Sequence, residues 1–221
     1  MILSYRQLEM ALGLYLRIHP DRLGTFRARV KQFQRLQFPS GVNVGRGTKM
    51  TYSGEHLFKL ATAFELIGLG QPALTASTLV ESNWPSIAAG YGIAVRNEFH
   101  EWPHDKKSSN ILIYLRITLN TLSPLLSNSE DGAESGHVSV EYRRNLIEYL
   151  EDDPEREGNS FLLLCASHIM RGVLHACKDA RVKDPFDDPE FAEWYKRDGS
   201  YGWWMFGEGN QLVNVPDDQH S

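Results

Sequence analysis

The pattern of apolar residues predicts a mainly helical α+β protein. In most of the first 83 residues apolar side chains recur at spacings of three and four, the period of one helical face, whereas in residues 111–119 Ile and Leu occupy every second position, the period of a strand with one well-buried face. The 221-residue chain is 42% hydrophobic and 23% charged, which supports a full core and excludes a disordered, collagen-like or heptad-rod protein.

The first helix is announced by Ser4, whose hydroxyl can cap it, with Gln7 three residues on as capping-box partner and Leu3 and Leu8 as the hydrophobic staple. It is expected to end at Gly13. A second helix has Asp21 as its N-cap; Leu23, Phe26, Val30 and Phe33 line one side, and Pro39 stops it. Val42 and Val44, a Gly45-Arg46-Gly47 turn and residues 48–52 predict a short hairpin with a basic tip, with a long loop as the alternative. Ser53 caps a third helix that carries Glu55 in its first turn and Leu57, Leu60, Ala61, Phe64 and Ile67 on its buried face, and it ends at Gly70. Pro72 restarts a shorter helix that reaches Asn83, and Trp84-Pro85 closes the unit.

Beyond Pro85, Ile111, Ile113, Leu115, Ile117 and Leu119 predict one strand, and Val138, Val140 and Tyr142 a second. Residues 127–136, rich in Ser, Glu, Asp and Gly, read as a connection. Residues 160–180 are apolar nearly all round (Phe161, Leu162, Leu163, Leu164, Ile169, Met170, Val173, Leu174), so a helix there needs cover on several sides, from a second copy of the chain or from the core. The aromatic residues 201–206 read as core or as a docked C-terminal segment. Two domains are therefore expected: residues 1–85, and residues 86–221 as a small mixed α+β domain for dimerisation or for a protein partner or effector.

Charge divides the chain at the same place. Residues 1–85 hold 10 Lys and Arg against 5 Asp and Glu, a net +5; residues 86–221 hold 13 against 23, a net −10. Residues 22–54 contain Arg22, Arg27, Arg29, Lys31, Arg35, Arg46 and Lys49 and no acid, which favours a polyanion partner over a merely solvated face. On the second helix Arg27, Lys31 and Arg35 form a separate row away from the apolar stripe, with Arg22 and Arg29 at the stripe's other border. The order helix, basic-faced helix, glycine-turn hairpin, helix, helix is that of a winged helix-turn-helix, which lays its second helix in the major groove of duplex DNA while Arg46 on the wing reaches the backbone or minor groove.

This arrangement resembles the DNA-binding domain of the MerR family. The resemblance is carried by Tyr5-Arg6-Gln7-Leu8 in the first helix, Phe26 to Phe38 in the second, Gly45-Arg46-Gly47 to Tyr52 in the wing, and Tyr52-Ser53-Gly54-Glu55-His56-Leu57 opening the third. It implies that Arg27, Lys31 and Arg35 lie on the recognition helix, Arg46 and Lys49 on the wing, and Tyr52 near phosphate. The expected function is sequence-specific double-stranded DNA binding in transcriptional regulation, by a cytoplasmic homodimer with no cofactor. The chain after Pro85 does not look like the family's long dimerising helix, so metal or drug sensing is not implied.

Two other readings compete. A DNA-binding adaptor of plasmid-partition or phage-packaging type would use the same N-terminal surface and recruit a protein through the acidic part. A zinc hydrolase would use His100-Glu101-Trp102-Pro103-His104, which fits H-E-x-x-H, but Pro103 spoils the interior of the helix that must align both histidines. No enzyme and no metal site are expected. Cys165, His168 and His175 fall within one helical arc, yet the two histidines stand about 10 Å apart, too far for one ion to bridge unaided. Buried small residues and hydrogen-bonded histidines are expected there, with Cys165 and Cys177 as free thiols. No signal peptide or membrane-spanning run interrupts the pattern.

Overall fold

The structure, a computed structural model, describes residues 2–42, 50–99, 112–118, 136–143, 145–147 and 161–182, and the backbone of 204–206 and 212–214; residues 96–99 are described as backbone only. It is a mainly helical α+β chain. The elements run β1 (Leu3–Ser4), α1 (Tyr5–Tyr15), a 3-10 turn (Pro20–Arg22), α2 (Leu23–Arg35), β2 (Thr51–Tyr52), α3 (Gly54–Gly68), α4 (Ala73–Ser82) and α5 (Trp84–Phe99). They continue with β3 (Ile113–Thr118), β4 (His137–Tyr142), β5 (Phe161–Cys165), α6 (Ala166–Asp179), β6 (Trp204–Phe206) and β7 (Leu212–Asn214).

Local chemistry sets most helix ends. Ser4 N–H donates to Gln7 Oε1 at 2.9 Å and Gln7 N–H to Ser4 Oγ at 3.4 Å, the reciprocal capping box, and Leu3 and Leu8 are fully buried beside it. α1 does not stop at Gly13. It runs to Tyr15, and Arg17 takes the left-handed conformation (φ 52°) that a glycine was expected to supply, while Ile18 N–H donates to Gly13 O. α2 ends the same way, with Gln37 at φ 57°, Phe38 N–H on Phe33 O, and the Phe33 and Phe38 rings 5.3 Å apart. Its start also differs from expectation: His19 and Pro20 open a 3-10 turn, and Arg22, not Asp21, precedes the first helical residue. α3 closes on Gly70 at φ 89°.

Tyr52 and Thr51 pair antiparallel with Leu3 and Ser4, so the strand before α3 is fixed to the N-terminus of the chain. Residues 43–49, which hold the expected hairpin turn with Arg46 and Lys49, lie outside the described residues.

Trp84-Pro85 opens a helix instead of closing a unit. Proline is tolerated there because the first helical turn leaves its N–H groups without intrahelical partners. The charge step at Pro85 thus falls inside α5, and one apolar cluster runs across it from Leu3 to Val182. Asn83 ties this corner to the sheet: its Nδ2 donates to Gly136 O at 2.9 Å and its Oδ1 accepts from Val138 N–H at 3.2 Å.

The sheet is antiparallel in the order β4-β3-β5. Ile113, Leu115 and Ile117 are buried on one face, toward α5, as their alternation required. On the other face Arg116 Nη2 meets Glu141 Oε1 at 3.0 Å. Residues 160–180 are not one helix. Phe161–Cys165 is an edge strand and only Ala166–Asp179 is helical, so the segment looks apolar all round because a strand's alternation and a helix's period lie end to end in it. Ile169, Met170, Val173, Ala176 and Cys177 on α6 are buried, and the helix packs against α1, α3, α5 and β3 of the same chain. The aromatic segment contributes β6, paired antiparallel with β7.

α6 approaches α1 closely at Gly172, where a Cβ would stand 2.8 Å from Tyr15 Cε2. Tyr15 cannot easily yield, because its hydroxyl donates to Glu65 Oε1 at 2.6 Å. Gly13, by contrast, faces open space within its helix. Gly172→Ala should therefore cost about 1–3 kcal/mol by overpacking. Gly13→Ala should add about 0.5–1 kcal/mol by removing glycine's excess chain entropy from a helix. Urea unfolding of both variants measures the opposite signs.

Candidate nucleic-acid interface

α2 is held by one face. Phe26, Val30 and Phe33 are buried; the Phe26 and Phe33 rings sit 5.3 and 5.2 Å from that of Phe64 on α3, the second edge-on at 84°. Residues four apart are displaced by only about 40° around a helix, so Arg27, Lys31 and Arg35 follow one another in a slanting row roughly 12 Å long, about the width of the major groove. All three are exposed, as are Arg22 at the N-cap and Arg29. Among the described residues no acidic side chain pairs with Arg22, Arg29, Lys31 or Arg35. Arg27 is different: its Nη2 lies 2.8 Å and its Nε 2.9 Å from Glu9 Oε1 on α1.

Tyr52 does not join this surface. It is 2% exposed, and its hydroxyl accepts from Gln34 Nε2 at 2.8 Å, so it locks β2 to α2 from beneath. The chemistry that the resemblance assigned to it, a phosphate contact, would need a hydroxyl at the surface; here the ring belongs to the core.

Around the loop at residues 38–42 lies a polar network that the sequence did not reveal. Lys59, 5% exposed on α3, sends Nζ to Glu55 Oε1 and to Glu81 Oε1, each at 3.0 Å, and stands 5.2 Å from the ring centre of Trp84. Ser40 Oγ donates to the same Glu81 oxygen at 2.6 Å, which anchors the loop to α4. Burial alone would push the Glu81 carboxyl up, but the Ser40 hydroxyl and the Lys59 ammonium outweigh it and hold the group below its ordinary value. Beside them His56 completes the capping box of α3, with Ser53 N–H donating to Nδ1 at 3.0 Å and His56 N–H to Ser53 Oγ at 3.2 Å. Burial lowers the imidazole's affinity for a proton, and Lys59 adds to this against the carboxylates of Glu55 and Glu81. The Glu55–Lys59 pair follows from an i, i+4 spacing on α3. Its link to Glu81, 22 residues further on, follows from no such spacing.

The other constellations stand apart from this surface. His168 and His175 are exposed, whereas Cys165 is half-buried and Cys177 buried; both cysteines are free. The helix carrying them puts its apolar residues inward and so turns the polar histidines to solvent. Among the described residues no three His, Cys, Asp or Glu side chains stand close enough to hold a metal ion, and no helix is long and apolar enough to cross a membrane. The segment His100 to His104 lies outside the described residues. No protein-family model, curated protein or solved structure matches the chain.

His56 is required neutral in the fold, because its Nδ1 must accept from Ser53. A group whose folded pKa is depressed contributes stability that is full above its unfolded value, here 6.5, and is lost as pH falls through the folded value. Thermal melts should show a decline beginning below about pH 6.5. His56→Gln, which keeps an acceptor at the box position as Gln7 does in α1, should abolish that decline and leave the more acidic loss through Glu81 in place.

Proposed function

We propose that the chain is a sequence-specific double-stranded DNA-binding protein that regulates transcription, with α2 as its recognition helix. The observation that carries this reading is the set of exposed cations around α2: Lys31 and Arg35 lie in the row away from the apolar stripe, Arg22 and Arg29 stand at the other border of that stripe, and the stripe itself is clamped in an aromatic core. Desolvated by nothing and paired with no acid among the described residues, these cations are available to displace counterions from a phosphate backbone. A helix held rigidly along one side can also place side chains in register with base edges, which a flexible basic tail cannot. The resemblance to the MerR family supports the same orientation, with residues 43–49 as the wing carrying Arg46 and Lys49. Two copies reading two half-sites belong to the proposal. Their contact lies outside the buried face of α6, since α1, α3, α5 and β3 of the same chain already cover that face.

The full chain should bind a random duplex of about 25 base pairs with log K falling against log salt at a slope of about −3 to −4, as expected for roughly four phosphate contacts. Replacing Arg29, Lys31 and Arg35 together by Ala should flatten the slope by about 2 to 3 and leave the fold intact, since none of the three is buried. Fluorescence anisotropy measures both. No binding at 50 mM salt, about the lowest ionic strength at which such slopes are compared, would refute the reading, as would a slope that the triple variant leaves unchanged.

A further inference from the structure

Resting on the reading of α2 as the DNA-contacting helix, we propose that Glu9 is a specificity-setting residue that withholds Arg27 from non-specific phosphate. Arg27 sits first in the row Arg27-Lys31-Arg35, yet it differs from its neighbours in having a carboxylate partner supplied by another helix. Both Nε and Nη2 converge on a single oxygen, Glu9 Oε1, at 2.9 and 2.8 Å. The two ends of the pair are in different surroundings: the Arg27 side chain is 53% exposed, whereas that of Glu9 is 13% exposed. Tyr5, one turn before Glu9 on α1, adds a partly buried ring close to both charges.

That asymmetry makes Arg27 costly to remove. If the guanidinium swung out to a phosphate, it would leave behind a largely buried carboxylate with its cation gone, and one solvent-screened phosphate contact does not compensate for an orphaned buried charge. With the pair intact, the site as a whole is neutral and contributes no net counterion release. Arg27 still retains donors for recognition. Nη1 has both protons, in the plane fixed by Glu9, and a correctly placed base-edge acceptor can use them without breaking the pair. The carboxylate at the same time repels a backbone approaching from the wrong register. Glu9 thereby lowers affinity for DNA at large while leaving a directed contact in place, a difference of affinities produced by a repulsive element.

The test uses the full-length chain, a random duplex of about 25 base pairs, and slopes of log K against log salt for the wild type, Glu9→Gln, and Glu9→Gln with Arg27→Ala. Glu9→Gln should tighten non-specific binding about 3- to 10-fold at 0.1 M salt and steepen the slope by about 0.9, the increment for one additional phosphate. The double variant, which removes a neutral pair, should return to the wild-type slope. Circular dichroism confirms folding, and Glu9→Ala, which leaves no polar group behind, carries the same expectation should the glutamine variant fail to fold. A wild type that binds with the expected salt dependence and a Glu9→Gln variant that binds no tighter would overturn the role of Glu9 alone. So would a double variant with a slope flatter than wild type by about 0.9, because Arg27 would then already be on phosphate. Absence of binding by all three proteins would overturn the DNA reading, and the role of Glu9 with it.

Discussion

Everything proposed for this chain depends on the packing of Phe26 and Phe33 of α2 against Phe64 of α3. These rings hold the helix through apolar contact alone, so α2 is positioned without using any of its cations as structural ties except Arg27. A surface helix docked by polar contacts would have its charges consumed in the docking. Here Lys31 and Arg35 stay exposed away from the buried stripe and Arg22 and Arg29 at its border, and the helix is still held because three buried side chains spaced by four and three residues seat it along two turns.

The strands and loops next to α2 are fixed by a different kind of interaction. Tyr52 is pinned by Gln34 and paired across to Leu3, and Ser40 is pinned by Glu81, which shares its oxygen with the buried Lys59. The described residues that flank 43–49, Ser40 before and Tyr52 after, are therefore attached to helices by directional bonds. Such bonds fix orientation more strictly than apolar contact does, because an unpaired buried partner is penalised whenever the geometry slips. Acid weakens this region once it protonates His56 and Glu81, both of which the fold holds below their ordinary values.

The second half of the chain supports the first instead of standing apart from it. α6 is inserted against α1 and α3 as well as α5 and β3, with Gly172 admitting the Tyr15 ring, so the apolar cluster crosses the charge step at Pro85. The net −10 of residues 86–221 is then part of a molecule whose basic face is local to α2. A long-range field of that sign opposes diffuse attraction to polyanions, so the proposed DNA contact would rest on short-range interactions of α2, in the same sense as the role proposed for Glu9.

By itself the sequence determined what local chemistry controls. The Ser4-Gln7 box, the Ser53 cap, the amphipathic face of α2, the closure of α3 at Gly70 and the alternation of β3 were all legible, because each depends on residues within about one or two turns of one another, whereas α3, expected to be amphipathic, is buried on nearly every side. Tertiary structure decided the rest. That Arg17 and Gln37, not glycines, would adopt left-handed caps follows from the packing of Ile18 and Phe38 beyond them, and that residues 160–180 divide into strand and helix follows from the pairing of Phe161–Cys165 with β3. The candidate interface shows the same division. The basic row was visible in a helical projection, but the burial of Tyr52, the partner of Arg27 and the link from Lys59 to Glu81 each join residues at least 18 positions apart. Which distant side chain meets which depends on the shape of the whole core, and no local periodicity encodes it.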